Sequence, residues 1–336
     1  MILVTGGAGY IGSHTIVELQ NSGFDVLVVD DLSNSDIEVF DGIEKITGRK
    51  PVVEIFNLCD IDKVEELFNK YHIEGIIHFA ASKAVGESVE KPLMYYRNNL
   101  VSLINILDTM ISNGVNNIIF SSSCTVYGQA DTLPVTESTP VKMAESPYGN
   151  TKQISEEVMN DATVAHMNLK VISLRYFNPV GAHESGLIGE LPRGIPQNLM
   201  PFITQTAIGL REKVRIFGSD YTTPDGTAIR DYIHVTDLAR AHISALNRLI
   251  ENKNKSRMEY FNVGTGNGYS VLEVIESFKR STGMAPNFEI VDRRAGDIEQ
   301  IWADTTLANN ELGWKAELGI DEMTASAWKW QQNIGS

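Results

Sequence analysis

The chain opens with a strand that runs straight into a glycine turn, Ile2-Leu3-Val4-Thr5-Gly6-Gly7-Ala8-Gly9-Tyr10-Ile11-Gly12. No other feature restricts its architecture as much. Glycine at positions 6, 9 and 12 permits a tight turn with positive φ and lets a diphosphate approach the backbone. The helix that follows turns its unpaired N–H groups and its dipole toward the same point. A second apolar run, Val26–Val29, ends on Asp30. An acid there accepts hydrogen bonds from ribose hydroxyls and repels a 2′-phosphate, and Asp31 adds to the repulsion. The pattern predicts a dinucleotide site for NAD rather than NADP.

Short apolar runs then alternate with helical periodicity. Ile2–Thr5, Val26–Asp30, Val52–Phe56, Gly75–Phe79, Asn117–Ser121 and Val171–Arg175 read as buried strands. Helices are expected at about 11–22, 61–71, 92–113 and 149–167. This alternation predicts an α/β fold, a Rossmann-type doubly wound parallel sheet covered on both faces. After Phe177 the regularity fades. The stretch 178–200, rich in Gly, Pro, Asn and Glu, reads as a long ordered loop, and loops of that length are usually functional or disordered. The remainder mixes short strands with helices at 237–250 and 270–282, a smaller mixed α/β C-terminal substrate domain.

Composition narrows the partners. Lys plus Arg number 28 against 43 Asp plus Glu, a net charge of −15. Such a chain is a poor binder of nucleic acid or of a membrane surface. It has no apolar run of spanning length. Cys59 and Cys124 form no CxxC pair, and no disulfide framework is expected. With a strand starting at Ile2 no leader is expected, and the cytosol is the expected compartment. The seven histidines show no HxH or HExxH spacing, so no metal is predicted. His78 and His234 read as core residues.

Tyr148-Gly149-Asn150-Thr151-Lys152 places a phenol and an ammonium on one helix face, about 6 Å apart along the axis. A phenol is a poor base at neutral pH. Making it one takes about 4 kcal/mol of preference for the phenolate, which a buried ammonium and a positive nicotinamide ring can supply. Ser123 follows the strand Asn117–Ser121, where open parallel sheets hold their ligands. Alone, a YxxxK spacing is weak. With the dinucleotide turn and the serine it predicts proton transfer at a hydroxyl undergoing oxidation.

These motifs resemble those of the extended short-chain dehydrogenase/reductases. Further segments are similar to the UDP-glucose 4-epimerases among them: His78-Phe79-Ala80, Lys83-Ala84-Val85-Gly86-Glu87-Ser88, Ser121-Ser122-Ser123-Cys124-Thr125-Val126-Tyr127-Gly128, Arg175-Tyr176-Phe177-Asn178-Pro179-Val180-Gly181-Ala182 and Arg230-Asp231-Tyr232-Ile233-His234-Val235. The resemblance spans nearly the whole chain. It implies that Tyr148, assisted by Ser123, takes the proton of a UDP-sugar 4-hydroxyl while a hydride passes from carbon 4 to NAD. The ketose then turns over and regains the hydride on its other face. Lys152 would also hold the nicotinamide ribose. The same resemblance assigns cofactor contacts to Gly6, Gly9, Tyr10, Ile11, Gly12, Asp30, Asp31, Asn34, Ser35, Asn57, Leu58, Phe79, Ala80, Lys83, Asn98, Tyr148, Lys152 and Phe177. It assigns UDP-sugar contacts to Ser123, Asn178, Asn198, Leu199, Arg215, Phe217, Arg230, Arg294, Asp297 and Ile301. Arg230 and Arg294 suit a diphosphate through forked, charged hydrogen bonds. Residues 1–177 become the NAD-binding domain and 178–336 the UDP-sugar-binding domain, with the segment around 233–250 expected to return to the first. A homodimer is the family expectation.

Two positions depart from close relatives. Asn57 stands where an Asp contacts the adenine, and Ile301 stands where a Tyr walls the sugar pocket. Isoleucine there leaves open an activity on N-acetylated UDP-hexosamines. A UDP-uronate epimerase is a further alternative. Nucleotide-sugar 4,6-dehydratases need an acid–base pair just after the serine position, where this chain has Cys124-Thr125. A non-catalytic NAD-binding regulator would have lost part of the Ser123, Tyr148, Lys152 set, and all three are present.

Overall fold

The computed structural model describes residues 1–293 and 298–335. In its first part the chain runs β1 (Ile2–Thr5), α1 (Tyr10–Asn21), β2 (Val26–Asp30), α2 (Val39–Thr47), β3 (Val52–Ile55), α3 (Ile61–Lys70), β4 (Gly75–His78), α4 (Val85–Glu90), α5 (Pro92–Ser112), β5 (Asn117–Ser121), α6 (Pro147–Ala165) and β6 (Lys170–Tyr176). It continues as β7 (Asn178–Val180), α7 (Leu199–Ala207), β8 (Val214–Phe217), β9 (Ile229–His234), α8 (Val235–Ile250), β10 (Met258–Val263), β11 (Gly268–Ser270), α9 (Val271–Thr282), β12 (Phe288–Val291), β13 (Gln300–Ile301), α10 (Thr306–Glu311) and α11 (Ile320–Ile334).

Seven strands form a parallel sheet in the order β10-β6-β5-β4-β1-β2-β3. The order reverses between β1 and β4, so the connections leave a crevice beyond their C-terminal ends. Every residue of β1, β2 and β4 is buried, as a sheet covered on both faces requires. One apolar layer, with Ile16, Val17, Phe40 and Leu246, lies under α1, α2 and α8. The other, with Val64, Leu103, Ile106 and Met159, lies under α3, α5 and α6. A third cluster, with Ile203, Ile216, Phe278 and Met323, holds the smaller body together. There β9 pairs with β7, β11 and β13, and β8 pairs with β12.

The chain does not divide once at residue 177. α8 packs against α1, and β10, from the second half, becomes the edge strand of the main sheet beside β6. A buried ion pair ties these two returning elements, Arg248 Nε to Glu259 Oε2 at 2.7 Å. The 178–200 stretch is less bare than its composition suggests, since β7 opens it and α7 begins at Leu199. α2 and α4 escape the sequence pattern because they are short and bury few residues.

Candidate active site

A cleft of about 2840 Å³ lies beyond the C-terminal ends of β1, β4 and β5, between the sheet and the smaller body. Drug-sized ligands occupy roughly 300–1,000 Å³, so there is room for two nucleotide ligands. Every described residue that the sequence singles out for the cofactor or the sugar lines this one cleft. Arg294 and Asp297 lie outside the described residues.

The glycine turn is built as the sequence requires. Gly6 has φ 70°. A Cβ on Gly12 would sit 2.4 Å from the Gly6 carbonyl oxygen, and one on Gly6 would sit 2.8 Å from Ala80 N. Gly9 is the N-cap of α1 and no side chain caps the first turn, which leaves its N–H groups to an anion. Asp30 is 9 % exposed. Its carboxylate accepts from Ala8 N (3.0 Å), Leu32 N (2.9 Å) and Ser35 Oγ (2.8 Å). It therefore braces the turn, and about one of its four lone-pair sites remains for a ribose hydroxyl. Asn57 is also engaged, donating to Asp31 Oδ2 at 2.8 Å and accepting from Cys59 N at 2.8 Å. A diphosphate-bridged dinucleotide fits this set of donors and the space that the missing Cβ atoms leave.

Ser123, Tyr148 and Lys152 converge where β5 meets α6. Ser146 caps α6 by accepting from Gly149 N at 3.1 Å, with Pro147 in the first turn. Tyr148 and Lys152 thereby face inward and are 8 % and 4 % exposed. The Lys152 ammonium donates to Ser121 O at 2.6 Å, 4.7 Å from the Phe120 ring and 5.9 Å from that of Tyr148. Ser123, in extended conformation after β5, accepts from Thr125 N at 3.2 Å.

Burial pushes the Tyr148 phenol well above its ordinary value. Tyr176 and Cys124 add to this, and the hydrogen bond with Ser123 pulls against it. Burial also pulls Lys152 down to about 8, opposed by Glu156. In the protein alone, then, desolvation favours the protonated form of Tyr148. Cys124 is pushed up to about 12, again mainly by burial.

Toward the smaller body, Arg230 Nη1 donates to Ile229 O (2.8 Å) and Glu299 O (3.3 Å). Arg215 is largely exposed and pairs with Glu289 at 3.4 Å. Ile301 is 2 % exposed and packs with Val126, Tyr127, Phe177 and Ala303. His78 pairs with Thr5 Oγ1 at 2.9 Å and His234 with Ser326 Oγ at 3.1 Å, both as buried structural residues. Among the described residues no three His, Cys, Asp or Glu side chains converge as a metal site needs.

Two acids went unnoticed in the sequence. Glu190 sits between the two groups of ligand candidates, 3.7 Å from Lys83 Nζ and accepting from Asn198 Nδ2 at 2.6 Å. Nothing in the 178–200 pattern marks it. Glu156 lies buried one turn beyond Lys152, and its spacing from Tyr148 and Lys152 was a usable signal.

A family model described as GDP-mannose 4,6 dehydratase matches residues 3–327. The UDP-glucose 4-epimerase of Bacillus subtilis is 48% identical over 332 residues, covering 99% of this chain and 97% of that one. The structure of UDP-glucose 4-epimerase from Bifidobacterium longum in complex with NAD+ and UDP superposes with a TM-score of 0.95 at 47% identity, covering 99% of this chain and 98% of that one. The epimerase from Stenotrophomonas maltophila with bound NAD and formylated UDP-arabinopyranose gives 0.96 at 48% identity, with the same coverage.

Proposed function

We infer the reaction from the premise that the chain belongs to the UDP-glucose 4-epimerase family of extended short-chain dehydrogenase/reductases: it interconverts UDP-galactose and UDP-glucose by oxidising and re-reducing the hexose at carbon 4. The observation that carries this reading is the meeting of Ser123, Tyr148 and Lys152 in the cleft that the glycine turn opens. NAD, held by the glycine turn and Asp30, would supply a reversible hydride acceptor for carbon 4 and, in its oxidised form, a positive charge beside the phenol.

In this reading Tyr148 Oη exchanges a proton with the sugar 4-oxygen, and Ser123 shares the hydrogen bond. The Lys152 ammonium favours the phenolate over the phenol. Gly6, Gly9 and Gly12 leave the backbone open to the cofactor diphosphate, and Asp30 offers its remaining acceptor site to the ribose. Arg230 and Asn178, with Asn198 and Leu199 at the start of α7 and Arg215 and Phe217 on β8, line the cleft and would hold the UDP-sugar. Arg215 must leave Glu289 to do so. Residues 1–177 carry the cofactor and the chain beyond them the sugar nucleotide, apart from α8 and β10. A 4,6-dehydration would need an acid after Ser123, and the Cys124 thiol there is held too high to serve. Val89 and Leu93, 62 % and 78 % exposed along α4 and α5, suit a second copy of the chain.

The purified protein, incubated with UDP-galactose and no added cofactor, is expected to form UDP-glucose with the NAD it carries. No product even after NAD is supplied would overturn the assignment.

A further inference from the structure

Behind the reacting groups lies a buried polar junction that the reaction as described leaves without a role. Tyr148, Lys152 and Glu156 recur at four-residue spacing on α6 and share one face. Glu156 is 5 % exposed. Its Oε1 accepts from Ser122 Oγ at 2.8 Å, Ser173 Oγ at 2.7 Å and Arg175 Nε at 3.0 Å. Its Oε2 accepts from Arg175 Nη2 at 2.7 Å. Arg175 is fixed in turn, donating to Tyr127 Oη at 3.1 Å and lying 4.4 Å from the Tyr260 ring. One carboxylate thus joins α6 to β6 and to Ser122, the neighbour of Ser123. Four hydrogen bonds on one carboxylate hold three segments in register, whereas a buried ion pair adds little net stability.

We propose that Glu156 is a positioning residue for the reaction: with Ser122, Ser173 and Arg175 it clamps the ends of β5 and β6 onto α6 and so sets where the Ser123 hydroxyl stands against the Tyr148–Lys152 face. Proton transfer needs heavy atoms held at about 2.6–3.2 Å, and a slip of about 1 Å costs up to ~10²-fold in rate. Glu156 has a second effect. Among the described residues the Lys152 ammonium meets a carbonyl and the rings of Phe120 and Tyr148, and Glu156 is the group that opposes its loss of charge. Other titratable groups that interact with that ammonium are Tyr148 on its own helix and His78 on β4, while Tyr176 on β6 and Cys124 after β5 act on the Tyr148 phenol. His78 is driven down to about 3 by burial and then by Lys152, and so stays neutral. Tyr176, bonded to Ser121 Oγ at 2.6 Å, is held up at about 12 by burial.

This inference rests on the epimerase reading, and wild-type turnover of UDP-galactose tests that reading first. With turnover established, Glu156→Gln is expected to lower kcat about tenfold while KM stays within about twofold, since the clamp acts through other side chains. Its alkaline limb should move to lower pH, because Lys152 loses its proton sooner without the carboxylate. Glu156→Asp keeps the charge and loses the reach, so the limb should return to the wild-type pH while kcat stays low. A folded Glu156→Gln protein with wild-type kcat and limb would overturn the proposal. If that variant fails to fold because Arg175 is left unpaired, Ser122→Ala decides. It removes one bond of the clamp beside Ser123, and a drop of about threefold in kcat at unchanged KM is expected. A wild-type kcat in Ser122→Ala would overturn the proposal equally.

Discussion

At the residue scale, the assignment depends on one oxygen atom. In the proposed reaction Tyr148 Oη exchanges a proton with the substrate, and burial favours its protonated form in the protein alone. Tyr148→Phe removes that oxygen and leaves the ring in its buried site. We expect kcat to fall by about 10³-fold, within the range of general acid–base contributions, with the amount of bound NAD unchanged. Steady-state rates on samples of matched NAD content check this, and a rate within a few-fold of wild type would strip the phenol of its role. The sequence made Tyr148, Lys152 and Ser123 visible because a helical period and a strand end fix their relative positions. The desolvation of the phenol was not legible there, because it depends on what packs around the ring, and Tyr176 and Cys124 reach it from two other segments. Glu190 was invisible for a related reason: its partners Lys83 and Asn198 lie far from it along the chain or across an irregular loop.

At the element scale, the strand–turn–helix β1–α1 does the most to shape the cleft. Gly12 lies in the first turn of α1, where a Cβ would meet the Gly6 carbonyl oxygen at 2.4 Å. Backbone, unlike the end of a flexible side chain, cannot step aside. Gly12→Ala must therefore open the turn, at about 1–3 kcal/mol for overpacking of this kind. If that strain is relieved by letting the diphosphate site widen, NAD binding weakens about tenfold or more. The NAD content of the variant as purified, read from its ultraviolet spectrum, checks this, and wild-type content would show that the cradle tolerates a side chain. The six strands of the first half were legible because each is a short apolar run between turn residues. The seventh, β10, was not assigned to the main sheet. Its sequence, Met258–Val263, reads as a strand of any sheet, and only the return of α8 over α1 brings it beside β6.

At the scale of the whole molecule, function comes from two bodies that share a chain crossing between them. The sheet supplies the glycine turn, Asp30 and the Ser123–Tyr148–Lys152 corner, and the smaller body supplies Arg230, Asn198 and Ile301 from the other wall. Asp231 knots the walls together from the middle of β9, accepting from Thr265 N at 2.8 Å, Gly266 N at 3.0 Å and Ala303 N at 3.2 Å. A cleft walled on both sides can hold a ketone between two half-reactions, which is what the proposed epimerisation at an unactivated carbon requires. The central claim is that the hydrogen on carbon 4 leaves as a hydride, stays inside, and comes back. UDP-galactose deuterated at carbon 4, turned over in ordinary water and examined by mass spectrometry, tests it directly. The account predicts UDP-glucose that keeps its deuterium through many turnovers. Product that has exchanged the label for solvent hydrogen would show that the carbon-4 hydrogen departs as a proton, and would contradict it.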